Sequence, residues 1–378
     1  MYTVHAFGRM AADGVRMDAY ARAIARVVKP GSVVVDIGAG TGIFSLLAAR
    51  AGAKRVHAVD GNASVLLVPE LAAANGFSDR IEVHHAMSFD VELPERADVI
   101  VSDLRGSFPL YESHLETLAD AKERWLAPSG TLLPSHDDLF VALVESEASW
   151  RVLEEGWSGL TRHGFVADAA RIATLNAIYG DASAPIMASD CLTRGHQWGE
   201  LAYGTMPGGS IDATVSLPVV RGGLAHGFAI WFEATIHDDI RMSSAPGQNV
   251  VYRRMFLPLL EPVQVAAGTD VSVTLRVDKE GTRWGWDTEV RDTQGASRRF
   301  RQSTFLGTPT SPETLLRESS SFAPVLSDKG KNVQRVLSQM DGKRTLVDLA
   351  NDLGTLQPRA PKEKNLDEVR ALARRYAR

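Results

Sequence analysis

Two acids nine positions apart, Asp103 and Glu112, bracket a single short loop. An apolar run, Val99-Ile100-Val101, leads into Asp103, and Gly106 and Pro109 then force a turn that returns Glu112 at the start of a helical pattern carrying Leu115 and Leu118. Such a pair can do chemistry where the end of a strand holds it in a ligand crevice, whereas two acids solvated on a surface loop are the plainer reading.

Those acids need an element to place them beside a reactive partner, and the stretch from Val33 to Asp60 supplies it. A buried-strand pattern, Val33-Val34-Val35-Asp36-Ile37, enters the turn Gly38-Ala39-Gly40-Thr41-Gly42. A helical run then reaches Ala51, and a second apolar strand ends at Asp60, with Gly61 beside it. This is a βαβ unit built for a nucleotide-like ligand, whose crevice lies at the C-terminal ends of the strands, where Asp103 should also stand. A pyrophosphate turn places a third glycine where this chain has Ile43. A carboxylate ending the second strand suits a ribose diol, and turn amides can meet a small zwitterion without phosphate. An S-adenosylmethionine site is therefore weighed against a dehydrogenase.

Composition bounds the rest. The chain has 378 residues, 44% hydrophobic and 23% charged, which leaves room for two or three domains. A net charge of -5 argues against a nucleic-acid partner. No apolar run has the length of a membrane span, and Met1 to Met10 holds no signal-peptide core, so a cytoplasmic enzyme is expected. Cys191 is the single cysteine, and no Cys/His cluster has zinc spacing, so no metal is expected.

The D-x-G-x-G-x-G turn with Asp60 resembles the S-adenosylmethionine site of class I methyltransferases. Ser102-Asp103-x-x-Gly106 and Tyr111-Glu112-Ser113 are similar to the S-E-x-x-G and Y-E-S motifs of the protein arginine methyltransferases, as are Trp125-Leu126-Ala127-Pro128-x-Gly130 and Pro134. The family's leading helix, M-x-x-D-x-V-R-x-x-x-Y, finds Met10, Asp13, Val15, Arg16 and Tyr20 at every position. The resemblance implies that Asp103 and Glu112 grip the substrate guanidinium, with Met10 and Tyr111 on the substrate side. A guanidinium holds its proton far above neutral pH and is a poor nucleophile until a lone pair is localised on one nitrogen. Two desolvated carboxylates can fix its plane by bidentate hydrogen bonds and draw charge away from the attacking nitrogen, with no metal required. The resemblance also implies S-adenosyl-L-methionine as cofactor, its carboxylate on Arg16, its ribose on Asp60 and its adenine near Met87 and Ser88, with Asp36, Gly38, Gly40, Gly61 and Asp103 completing the pocket. Asp103 stands where the family has glutamate, and Leu104 and Arg105 replace its usual neighbours.

The expected architecture is α/β, a Rossmann-like domain followed by a β-barrel or sandwich. A helical cofactor lid would span 1–28, the cofactor domain 29–135, the barrel 136–308 with a helical arm at about 150–180, and a helical appendage 319–378. Trp150, Leu153, Trp157 and Leu160 mark the arm, which the resemblance implies docks on a second subunit, giving a homodimer; a hairpin buried within one subunit is the alternative. Strands are expected at 139–145, 213–220, 226–236, 250–257, 271–277 and 284–290. The family's Thr-His-Trp loop has no counterpart here, and Tyr252 is the polar candidate for its place. Asn365 reads as the N-cap of a last helix. The expected reaction is methylation of an arginine guanidinium, in free L-arginine or a peptide, with a slight lean to a small biosynthetic substrate. Methylation of another small amine or hydroxyl, or a non-catalytic peptide-binding module, are the alternatives.

Overall fold

The computed structural model describes residues 2–110, 114–180, 185–205, 210–291, 296–357 and 361–377. They fall into two units, Met1–Pro309 and Thr310–Arg378. No helix among them is long and apolar enough to cross a membrane.

The leading segment is two helices, α1 (Val4–Ala11) and α2 (Gly14–Val27), rather than the continuous one its pattern suggests. Asp13 breaks it. Its backbone is extended and its side chain caps α2 by accepting from Arg16 N. The α2 face that carries Arg16, Ala19, Tyr20, Ala23 and Ile24 is buried. Next come β1 (Val33–Ile37), α3 (Ile43–Arg50), β2 (Arg55–Val59), α4 (Val68–Ala74), β3 (Ile81–His84), β4 (Ala97–Ser102), α5 (His114–Trp125) and β5 (Leu126–Leu133). All five residues of β1 are buried, as an apolar run in a central parallel strand should be. The sheet order is β3-β2-β1-β4-β5, every pair parallel. Reversal of order at β1 and β4 opens the crevice where Gly38 and Asp103 follow their strands.

From Pro134 the chain turns antiparallel. It forms β6 (His136–Val144), α6 (Glu147–Thr161), α7 (Asp168–Leu175), β7 (Tyr179–Gly180), β8 (His196–Ala202), β9 (Ile211–Pro218), β10 (Gly223–His237), β11 (Ile240–Ser243), β12 (Met255–Val265), β13 (Asp270–Val277), β14 (Trp284–Arg291), β15 (Ser297–Ser303) and α8 (Thr304–Gly307). The barrel-or-sandwich expectation resolves into two antiparallel sheets. One runs β7-β12-β10-β6-β8 with β11 on β10, the other β15-β14-β13-β9, and Phe228, Ile230, Val273 and Trp286 share a buried core. Strands β7, β8, β11 and β15 escape the sequence reading. The strand expected at 250–257 instead starts at Met255, because Val251 and Tyr252 spend their hydrogen bonds on the other half of the unit. The arm is α6 and α7: Trp150 Nε1 donates to Leu259 O (2.9 Å), and Trp157 Nε1 to Thr174 Oγ1 (2.8 Å). Val152, Leu160, Phe165 and Val166 stay exposed.

The second unit holds α9 (Pro312–Glu318), α10 (Asp328–Ser338), α11 (Leu346–Leu356) and α12 (Lys362–Tyr376), the last three closing on Val336, Leu349, Leu353 and Val369. Asn365 lies inside α12, not at its cap. Pro361 takes the cap with the φ its ring dictates, and Asn365 is buried against Gly354.

Candidate functional site

The residues expected to hold the cofactor gather round the turn after β1. Gly38, Gly40 and Gly42 all have positive φ, which only glycine adopts freely. A Cβ on Gly38 would stand 2.4 Å from Leu104 Cδ2, and one on Gly40 2.4 Å from Phe7 Cε1, so two apolar side chains lie directly on the turn. Asp60 Oδ2 accepts from Gly40 N and Oδ1 from Asn62 N, both at 2.7 Å, which fixes its carboxylate across the turn. Ser88 is buried, and the exposed Met87 lies over Gly61. Asp36 is different. Its Oδ2 accepts from Ser45 N (2.9 Å) and Oγ (2.6 Å), whereas Oδ1 is buried without a partner among the described residues. Burial, only partly offset by the Ser45 bonds, raises its pKa to about 7. A positive-φ turn, a fixed acid at the end of β2 and an orphaned buried oxygen fit an adenosyl ligand with a polar tail.

Asp103 follows β4, and its side chain is almost wholly buried. Its Oδ2 accepts from Arg16 Nε (2.5 Å) and the Tyr252 hydroxyl (2.6 Å), and its Oδ1 from Arg105 Nη1 (2.9 Å). Burial pushes its pKa up, but Arg16, Arg105 and Tyr252 outweigh that and bring it down to about 2. The Arg16 guanidinium also lies 4.8 Å from the centre of the Phe44 ring, and its Nη1 donates to Met10 O (3.3 Å).

Arg105 anchors a second layer. Its Nε and Nη2 meet Asp137 Oδ2 and Oδ1 at 2.7 and 2.9 Å, and its Nη1 also reaches the Tyr20 hydroxyl (2.7 Å). Tyr20 passes its own proton to Ser102 O (3.0 Å). Tyr203 donates to Asp137 Oδ2 (2.6 Å), so His114 Nε2, 3.1 Å from the same hydroxyl, must be the protonated nitrogen. Burial, then Arg105, lowers the His114 pKa to about 4, which keeps that imidazole neutral.

Comparisons with known proteins agree with this layout. The family model described as "Ribosomal protein L11 methyltransferase (PrmA)" matches residues 20–135. "Probable protein arginine N-methyltransferase 6" of Arabidopsis thaliana is 45% identical over 135 residues, which cover 35% of this chain and 31% of that protein. The chain thus spans about a third of that relative's length. "Protein arginine N-methyltransferase 6" of Xenopus laevis is 30% identical over 277 residues, covering 70% of this chain and 80% of its own. The chain belongs to the protein arginine N-methyltransferase family. Its fold matches that of the Trypanosoma brucei PRMT1 enzyme-prozyme heterotetrameric complex with AdoHcy, with a TM-score of 0.68, 21% identity and coverage of 80% of this chain and 98% of that one.

Within the protein arginine N-methyltransferase frame, the site departs from the sequence expectation in three ways. Asp103 is not a free carboxylate awaiting a guanidinium, because both of its oxygens are occupied by groups of the chain itself. Arg16 points at Asp103, with its guanidinium over Phe44 in the helix that follows the donor turn. Tyr252 does enter the site, and it does so as a donor to Asp103. Tyr111 and Glu112 lie outside the described residues. The family motifs also gave no hint of Asp137, Tyr203, His114 or Phe7, and marked Leu104 only as a departure from the usual neighbours of the first acid. One signal was available: Asp137 occupies a core-facing register of β6, with Leu139 and Val141, and an acid there demands a buried partner.

Proposed function

We propose that the chain transfers a methyl group from S-adenosyl-L-methionine to a guanidinium nitrogen of arginine in a protein or peptide. The observation that carries this reading is Asp103: a carboxylate at the end of β4, ionised at any physiological pH, tied to Arg16 beside the glycine turn. The bound donor supplies an electrophilic methyl on its sulfonium. The chain's residues do the rest. Asp60 would accept from the ribose hydroxyls, and Gly38 and Gly40 let Leu104 and Phe7 close on the turn and exclude water from it.

On the acceptor side, the charges of Asp103, Asp137, Arg16 and Arg105 cancel, so this linked network carries no net charge. The negative charge a substrate guanidinium requires is then assigned to Glu112, which follows Asp103 by nine positions in the sequence. Asp103 orients, and Glu112 attracts. The curated relatives named as protein arginine N-methyltransferases support arginine in proteins over the free amino acid. The exposed apolar residues Leu160, Phe165 and Val166 of the α6–α7 arm support a homodimer.

Mass spectrometry of reactions offered arginine-containing peptides, a basic protein and free arginine with S-adenosyl-L-methionine tests the reading. A mass gain of one methyl on an arginine side chain is expected with peptide or protein. Methylation confined to other residues, or none with donor bound, would overturn it. Analytical ultracentrifugation should give a dimer that Leu160→Asp with Phe165→Asp converts to monomer.

A further inference from the structure

The parallel sheet carries a second cluster of chemistry-bearing side chains, at its β3 edge. The register of β2 and β3 sets His57 opposite Glu82, and His84 follows two residues along β3, so all three side chains leave the same face. His57 is fully buried, His84 partly so, and the Glu82 side chain is half exposed. Their ligand atoms converge. His57 Nδ1 is 3.0 Å from His84 Nε2, Glu82 Oε2 is 3.7 Å from His57 Nδ1, and Glu82 Oε1 is 3.8 Å from His84 Nε2.

We propose that His57, Glu82 and His84 form a binding site for one divalent transition-metal ion of the zinc class, separate from the methyl-transfer site. Ligand atoms about 2.0–2.1 Å from a tetrahedral zinc ion stand about 3.3–3.4 Å apart. The three separations found here bracket that spacing, so a carboxylate rotation and a few tenths of an ångström complete the coordination. A plain hydrogen bond between the imidazoles would use one nitrogen of each ring but leaves Glu82 out of bonding range of both. The other nitrogen of His57 has no partner among the described residues, so no hydrogen bond there forces the proton onto Nδ1 and removes it as a ligand.

Two imidazoles and a carboxylate suit zinc, copper or nickel over magnesium or calcium. Three protein ligands with an exposed side leave room for water in the fourth position. Arg55 is the competing charge: its Nη1 stands 3.9 Å from Glu82 Oε2, but its Nε also lies 3.7 Å from Glu95, which can take it up. Sequence spacing conceals the site, since the ligands come from adjacent strands 25 residues apart rather than from one local motif. An ion there would staple the edge strand to β2.

The test uses the full chain without an affinity tag, stripped with chelator and titrated with zinc sulfate by calorimetry, with native mass spectrometry for stoichiometry. One ion per chain and a higher Tm are expected. His84→Ala and Glu82→Gln should each weaken binding by about tenfold or more, the scale on which even supporting groups act at metal sites. Both variants sit at the sheet edge and should leave S-adenosylhomocysteine binding unchanged, which shows that they fold. Absence of saturable binding would overturn the proposal, as would unchanged affinity in His84→Ala. Loss of binding on His136→Ala instead would assign the ion to His136 and Asp138 and would also overturn it.

Discussion

Arg105 and Asp137 meet through two parallel hydrogen bonds, 2.7 and 2.9 Å, with neither side chain reaching solvent. The chain thereby keeps a guanidinium of its own one layer beneath the place where a substrate guanidinium is expected. Removing one member leaves a buried charge alone. Arg105→Met should cost about 3–5 kcal/mol of stability, measured by chemical denaturation. Replacing both, with Asp137→Leu added, should recover much of that loss, whereas a double variant no better than the single would show that the pair is not the source.

Glu112→Gln and Asp103→Asn should fail differently. The first keeps size but removes the charge that attracts the substrate, so methyl transfer should slow by about 2 kcal/mol or more in barrier while donor affinity stays within a few-fold. The second also releases Arg16 and Tyr252, so donor affinity should drop along with the rate. Equal donor affinity in both variants would contradict the link between Asp103 and Arg16.

Asp103→Glu restores the family's residue but not its surroundings. With Arg16, Arg105 and Tyr252 already at 2.5 to 2.9 Å, an extra methylene has nowhere to go. Stability should fall by about 1–3 kcal/mol, and activity with it. A more active Asp103→Glu enzyme would show that the pocket tolerates the longer acid.

Donor binding itself tests Asp60. Asp60→Ala removes the acceptor that would meet the ribose and also frees Gly40 N and Asn62 N. Affinity for S-adenosyl-L-methionine should weaken by about 1–3 kcal/mol by calorimetry, and unchanged affinity would place the ribose elsewhere.

Two acids should give stability opposite pH slopes. Asp103 titrates near 2 in the folded chain and from an ordinary value of 3.8 when unfolded, so its contribution is present above about pH 4 and is lost as pH falls toward 2. Asp36 is raised to about 7. The unfolded chain therefore holds fewer protons there between about pH 4 and 7, so the Asp36 contribution declines as pH rises through that window, against the opposite slope of His114, whose pKa is lowered to about 4. Asp36→Asn should remove the falling component, so that stability rises more steeply with pH than in the parent, without altering the acid limb. Denaturation curves across that range, without donor, measure both.

The cofactor half was legible because its signals are local. Val33 to Ile37 had to be buried, Gly38 and Gly40 needed positive φ, and Asp60 closed the unit. The acceptor half was less so. Arg105 read only as a departure from a motif, and its partner Asp137 lies 32 residues away in another sheet. Tyr252 was named for its position in a gapped loop, and only folding revealed that its hydroxyl goes to Asp103. The same long-range bonds explain why the strand expected at 250 begins at Met255: a loop that must reach the donor helix cannot also pair in a sheet.

Asp13 is where that reach begins. One of its oxygens caps α2 through Arg16 N, and the other accepts from Val251 N at 2.7 Å, next to Tyr252. A single carboxylate therefore yokes the first turn of the donor-side helix to the loop of the antiparallel half. Any ligand that shifts one acts on the other, so donor and acceptor affinities should be coupled, by the same factor in either order of addition. Asp13→Asn, which keeps the shape and weakens both bonds, should bring the peptide's affinities with and without S-adenosylhomocysteine closer together.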